Sequence, residues 1–118
     1  MSKNDEPTFE DAVEAFEEGD AETALDILDG LLPEDLDQAP VEMIYLVAEC
    51  LLDLQEPQEA AHMLEVALER EPDEPSLLHA YGIANFELGR LGLARTNFIA
   101  ASTAEPELGE AFFYLGIL

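Results

Sequence analysis

The chain has 118 residues, of which 28 are Asp or Glu and four are Lys or Arg, and its formal net charge is −24 at pH 7. So negative a chain cannot neutralise the phosphates of a nucleic acid, and an anionic membrane surface is disfavoured for the same reason. No apolar run reaches the roughly 18 residues of a membrane span, and MSKNDEPTFED lacks the apolar stretch of a signal peptide, so we expect a cytoplasmic protein.

Apolar residues recur at helical spacing along the chain, without the alternation that is typical of strands. Glycine or proline follows each helical stretch and ends it. The pattern predicts helices over residues 6–18, 20–32, 40–54, 57–71, 75–88, 91–104 and 107–118. Helices this short are marginal alone, so we expect them to pack in pairs.

The predicted pairs repeat every 34 residues. The period relates Ala60 to Ala94, Leu64 to Phe98, Pro72 to Pro106, Ile44 to Leu78 and Phe112, Val47 to Tyr81 and Leu115, and Ala48 to Gly82 and Gly116. A shift of 36 relates the first pair to the second, which predicts two extra residues in the loop from Pro33 to Pro40. Small residues at Ala48, Gly82, Ala60 and Ala94 predict a close crossing within each pair.

This pattern resembles the tetratricopeptide repeat family, whose 34-residue unit has a W-x2-L-G-x2-Y helix, an A-x3-F helix and a closing proline. The third unit matches at Leu78, Tyr81, Gly82, Ala94, Phe98 and Pro106. Asn85 stands in place of the motif's tyrosine, and Thr8 and Asp11 occupy large apolar slots of the first unit. The resemblance implies an all-α fold, a right-handed superhelix of stacked antiparallel helix pairs, with three repeats plus the first helix of a fourth.

We expect one domain over residues 1–118, with repeat 1 at about 5–38, repeat 2 at 41–74, repeat 3 at 75–108 and a partial repeat 4 at 109–118. The last segment, GEAFFYLGIL, is apolar all round, whereas the end of a repeat array needs a polar outer face. Either the chain is the N-terminal part of a longer protein, or this segment is buried in a homo-oligomer. The residues predicted for self-association are Phe112, Leu115, Ile117 and Leu118.

Nothing in the sequence indicates catalysis. His62 and His79 have no partner at metal-ligand spacing, and no serine has the G-x-S-x-G context of a nucleophile. Cys50 is the only cysteine, and its expected fate is a buried thiol. We therefore expect no catalytic residue, no metal and no cofactor.

In the family, the first or front helix of each repeat lines a concave surface, which implies a peptide-binding groove here. The positions that would line it are Phe9, Val13, Tyr45, Glu49, Leu52, Asp53, His79, Ile83, Phe86, Glu87 and Phe113. Leu52, Ile83 and Phe86 have an equally good interpretation as core between neighbouring repeats. Tyr45, His79 and Phe113 are better groove candidates, because the core slots beside them are already filled.

Many family members hold the carboxylate tail of a chaperone with Lys, Arg and Asn. The corresponding positions here are Phe9, Val13, Glu42, Leu46, Ser76 and Ala80. Since an anionic peptide would be repelled, we expect a non-catalytic protein-interaction scaffold that binds a basic and apolar peptide segment of a partner protein.

Two other functions stay open. One is a chaperone similar to the acidic translocator chaperones of type III secretion, which VAECLLDLQEPQEA (residues 47–60) resembles. The other is a self-assembly module that acts through the C-terminal helix. The acidic residues are concentrated in the N-terminal part, which favours steering of a basic partner over adaptation to high salt.

Overall fold

A computed structural model describes residues 6–104, and the regular secondary structure of that part of the chain is helical, without a strand. The helices are α1 (Phe9–Glu17), α2 (Ala21–Leu31), α3 (Val41–Asp53), α4 (Pro57–Arg70), α5 (Pro75–Glu87) and α6 (Leu91–Ala104), and a 3₁₀ helix spans Leu36–Gln38. Each α-helix lies within three residues of its predicted bounds. The helix predicted over 107–118 lies outside the described residues.

Short polar and proline caps set where the helices begin. The Thr8 hydroxyl accepts a hydrogen bond from the Asp11 backbone N–H at 3.3 Å, and an Asp11 carboxylate oxygen accepts one from the Thr8 N–H at 2.9 Å. This capping box explains why polar residues occupy the two apolar slots of the first unit, and why α1 begins at Phe9. Pro57 and Pro75 stand in the first turns of α4 and α5, where a missing N–H costs nothing.

The helices form three consecutive pairs, α1–α2, α3–α4 and α5–α6, and the pairs stack in chain order because α2 packs on α3 and α4 packs on α5. The predicted small residues lie inside these pairs: Ala48, Ala60 and Ala94 are fully buried. Larger residues with the same period, Leu64 and Phe98, are also fully buried. The 34-residue period therefore corresponds to equivalent positions in the core.

Gly82 marks the closest approach within the third pair. A Cβ atom built on Gly82 would lie 2.6 Å from Cε1 of Phe98, closer than real side chains come. The sequence predicted Ala94 as the opposing residue, and Ala94 is buried, but the ring of Phe98 makes the close contact. Glycine at this position lets the aromatic ring lie directly on the α5 backbone.

One core position in the first turn of α5 differs from the prediction. Leu78 was predicted as the equivalent of Ile44, but Leu77 is the residue at 1% exposure, and Leu78 is only half-buried. Leu77 lies on the side of α5 that faces the preceding pair, where it borders Val41 and Tyr45. Packing against the preceding pair therefore determines which residue is buried here. Equivalence to Ile44 of the second repeat does not.

A buried polar cluster fills the space where the repeat motif has tyrosine. The Asn85 side chain is fully buried, and its Nδ2 donates to the Tyr81 backbone carbonyl at 2.9 Å and to Oδ1 of Asn97 at 3.1 Å. Nη1 of Arg90 donates to Oδ1 of Asn85 at 3.4 Å. Because both ends of the amide have partners, the core accepts this polar side chain.

The loop with two extra residues is tied to the second pair. It contains the 3₁₀ helix and the fully buried Ala39, and Nη2 of Arg70 donates to the Leu36 carbonyl at 3.1 Å. The hydrogen bond joins the loop to the last turn of α4. The insertion is therefore a fixed part of the stacked structure.

We predict that Gly82→Ala destabilises the protein by about 1–3 kcal/mol, because the new methyl group must displace Phe98 from its contact with α5. Gly30→Ala is the matched control, since a Cβ there would meet nothing within 4 Å. The control should gain roughly 0.5–1 kcal/mol from helix propensity. Urea unfolding measures both, and equal stability of the two variants would contradict the close crossing.

We also predict that Asn85→Ala costs about 1–3 kcal/mol, because it leaves Oδ1 of Asn97 buried without its donor. A double-mutant cycle with Asn97→Ala separates this hydrogen bond from other effects of each change. The two substitutions should show a coupling energy in urea unfolding, and strictly additive losses would show that the amide pair contributes nothing.

Candidate functional site

The front helices α1, α3 and α5 lie side by side, with α3 between the other two. They carry all the described residues that were predicted to line a groove. Half-buried among these are Phe9, Val13, Tyr45, Glu49, Leu52, His79, Ile83 and Phe86, while Asp53 and Glu87 are exposed. Phe113 and the predicted self-association residues Phe112, Leu115, Ile117 and Leu118 lie outside the described residues.

A cleft of about 310 Å³ opens between the N-terminal parts of α3 and α5. Its lining residues are Val41, Glu42, Tyr45, Glu71, Glu74, Ser76 and Leu77. Val41 and the ring of Tyr45 supply apolar surface above the buried Leu77, and three glutamates surround it. We call it the front cleft, and its chemistry suits a ligand that has both an apolar and a cationic group.

The helical pattern of the sequence predicts Tyr45 at this surface but does not predict Glu71 or Glu74. Both lie at the link between α4 and α5, within the segment EPDEP, and not on a front helix. Helical periodicity selects residues within helices and gives no weight to the loops between them. The only feature of the sequence that could have indicated Glu71 and Glu74 is that this acidic loop directly precedes a front helix.

Glu49 lies one helical turn beyond Tyr45 on α3. Partial burial raises the pKa of the Glu49 carboxyl above its ordinary value, a hydrogen bond from the Tyr45 side chain offsets part of this rise, and the nearby Asp53 adds to it. Burial also raises the pKa of Glu87, near the end of α5. A Lys or Arg brought beside Glu49 would favour its charged form.

The predicted site residues differ in what they pack against. The imidazole of His79 packs against the ring of Phe98, with 5.7 Å between the ring centroids and 55° between the planes. His79 therefore lies against the second helix of its own pair. Phe9, Val13, Tyr45 and Leu52 pack on the main core while each keeps part of its side chain accessible.

The described residues offer no site for a metal: no group of three or more His, Cys, Asp or Glu side chains in residues 6–104 is placed to hold an ion. Cys50 is fully buried, and burial, followed by the nearby Asp53 and Glu49, raises the pKa of its thiol to about 11. A thiol in this state is a poor nucleophile. None of the helices in the described part of the chain is long and apolar enough to span a bilayer.

The profile of the family described as tetratricopeptide repeat matches residues 15–81. This chain belongs to the tetratricopeptide repeat family. No curated protein matches its sequence. The predicted all-α solenoid of stacked helix pairs is confirmed, and the described residues supply three of those pairs.

Three solved tetratricopeptide repeat structures illustrate the similarity. The first repeat domain of Spaghetti (RPAP3), bound to the HSP90 peptide SRMEEVD, has a TM-score of 0.82 and 19% identity over 92% of this chain and 84% of its own. MamA from residue 41 to its end, from Desulfovibrio magneticus RS-1, has a TM-score of 0.84 and 22% identity over 98% and 64%. SycD, the type III secretion translocator chaperone of Yersinia enterocolitica, has a TM-score of 0.79 and 14% identity over 93% and 86%.

The raised pKa of Glu49 predicts that Glu49→Gln stabilises the protein at pH 7. The pKa of this carboxyl is higher in the folded state than in the unfolded state, where it is near 4.5. The protonated carboxyl therefore contributes to stability at a pH below the unfolded pKa, and this contribution is lost as the pH rises through the folded pKa. The advantage of the glutamine should therefore shrink as the pH falls towards 4.5. Urea unfolding at pH 7 and pH 4.5 measures the difference.

Glu69→Gln is the control for this prediction, because it removes an equal charge from an exposed position of α4 and so reports the general relief of self-repulsion. Glu49→Gln should gain more than the control at pH 7. A difference between the two variants that does not change with pH would contradict the desolvation of Glu49.

Proposed function

We propose that this tetratricopeptide repeat protein is a non-catalytic scaffold that binds a basic and apolar segment of a partner protein along its front helices. The front cleft is the observation that carries the proposal. It joins an accessible aromatic ring, Tyr45, to an apolar floor and to Glu42, Glu71 and Glu74. Among the described residues that line it there is no Lys or Arg.

The charge of the front surface supports a basic ligand. The HSP90 peptide bound to RPAP3 has the sequence SRMEEVD, which carries three carboxylate side chains. Here Glu42 lies at one of the positions that the resemblance assigns to a carboxylate clamp, and Leu46 and Ala80, at two others, are buried. An acidic peptide would find repulsion in place of a clamp, whereas Lys or Arg would be attracted.

The dimensions of the front cleft suit one or two side chains of a peptide rather than a whole folded partner. We propose that an apolar side chain packs on Tyr45 and Val41 while a neighbouring Lys or Arg reaches Glu71 or Glu74. Further along α3, Glu49 and Asp53 offer carboxylates to a second basic residue. A peptide in this position would follow the front helices of the second and third repeats.

A second candidate function is that of a chaperone for a secreted translocator protein. The similarity to SycD over 93% of this chain and 86% of SycD favours it. The ligand in that case would again be a segment of another protein, so the front cleft would have the same task. The two functions differ in the identity of the partner and not in the chemistry of the site.

Selection of 12-residue peptides from a random library on the full chain tests the proposal. We expect the selected peptides to be enriched in Lys or Arg next to an aromatic or aliphatic residue, and Tyr45→Ala to weaken their binding about tenfold or more, the usual loss at an interface hot spot. Glu71→Gln with Glu74→Gln should also weaken binding. Fluorescence anisotropy measures each dissociation constant.

Glu14→Gln with Glu69→Gln is the charge-matched control, because both residues are exposed and neither lines the front cleft. This control should bind the selected peptides nearly as well as the wild type. Enrichment of acidic peptides, or equal binding by the control and the cleft variants, would reject the front cleft as the site.

A further inference from the structure

A second cleft, of about 990 Å³, does not lie among the front helices. It opens between α2 and α4, the second helices of the first two repeats, and α3 forms its floor. Leu51, on this floor, is two residues from Glu49 and therefore points to nearly the opposite side of α3. We call this the rear cleft, and the peptide proposed for the front cleft would leave it free.

The floor and walls of the rear cleft are apolar. Leu51 and Met63 are buried beneath it, and Leu25 and Leu54 are half-buried along its sides. At one end lies Leu36, whose backbone carbonyl is held by the hydrogen bond from Arg70. The two-residue insertion therefore gives the cleft a fixed end wall and additional apolar surface.

The rim of the rear cleft is acidic. Glu22 and Asp29 stand seven residues apart on α2, about two helical turns or roughly 10 Å along one wall. Glu59 stands on the facing wall, in the first turn of α4. All three carboxylates are exposed, and the described residues that line the cleft include no Lys or Arg.

We propose that the rear cleft docks an amphipathic helix of a partner protein, with an apolar stripe on Leu25, Leu51 and Leu54 and with Lys or Arg beside the stripe. Two helices that flank an apolar floor form the type of groove that receives a helix. The spacing of Glu22 and Asp29 fits basic residues two turns apart on such a helix. The carboxylates then set the orientation and speed of binding, while the apolar floor supplies most of the affinity.

The probe for this proposal is a 14-residue peptide of Leu and Lys with blocked termini. Its leucines follow the spacing i, i+3, i+4 and i+7, so that they form one apolar stripe when the peptide is helical. A peptide of identical composition, shuffled so that no apolar stripe forms, is its control. We expect the first peptide to bind the full chain at 0.15 M salt with a gain of helicity in circular dichroism. The shuffled peptide should bind about tenfold more weakly, because the apolar stripe supplies most of the affinity.

Glu22→Gln, Asp29→Asn and Glu59→Gln in one protein should weaken binding of the striped peptide about fivefold or more, since each lost ion pair contributes a modest amount. The charge-matched control is Glu10→Gln, Glu14→Gln and Glu69→Gln, at exposed positions away from the rear cleft. Neither this control nor Tyr45→Ala should change the affinity more than about twofold, since none of these four residues lines the rear cleft.

A paramagnetic label on the peptide locates the bound site by NMR. We expect it to broaden the methyl signals of Leu25 and Leu54 and to leave those of Val41, in the front cleft, sharp. Equal binding of the shuffled peptide, equal effects of the two triple variants, broadening of Val41 alone, or binding without a gain of helicity would each overturn the proposal. Loss of binding through Tyr45→Ala would place the peptide in the front cleft instead.

Discussion

The structure depends on the close approach of the two helices within each pair. In the third pair the ring of Phe98 lies on the backbone of Gly82, and in the second pair the residues at the equivalent positions, Leu64 and Ala48, are fully buried. A larger side chain at such a point would push the pair apart, and every neighbour that packs on the pair would have to move with it. The narrow crossing therefore fixes the shape of the unit from which the repeat is built.

Contact between neighbouring pairs has a different character. The hydroxyl of Tyr81 on α5 donates to Oε2 of Glu65 on α4 at 2.9 Å, and Arg70 reaches back to the Leu36 carbonyl. Long polar side chains connect neighbouring pairs across these borders, which we call seams. Small residues alone do not hold the helices together there. Both clefts open at such seams, the front cleft between α3 and α5 and the rear cleft between α2 and α4. Both clefts therefore lie at the borders of tightly closed pairs.

This division explains how much the sequence could predict. Apolar residues at helical spacing predicted the six described helices. The period of 34 residues reports equivalent positions within pairs, so it predicted the burial of Ala60, Ala94 and Phe98. It could not predict the burial of Leu77 in place of Leu78, which depends on the preceding pair. Nor could it find the rear cleft, because the position of Leu36 depends on a hydrogen bond from Arg70, 34 residues away. Contacts between pairs and loops have no periodic signature.

The charge distribution connects the two clefts. Residues 1–38 hold 14 of the 28 acidic residues and residues 39–74 hold ten, so the field is strongest around the first two repeats, which supply most of the lining of both clefts. Such a concentration of charge destabilises the compact state by self-repulsion. A surface that only needed to stay soluble would gain nothing by placing carboxylates around apolar clefts. A surface that attracts cationic segments to those clefts would gain from such carboxylates. The field raises the rate of encounter, while the exposed apolar side chains determine which segment stays bound.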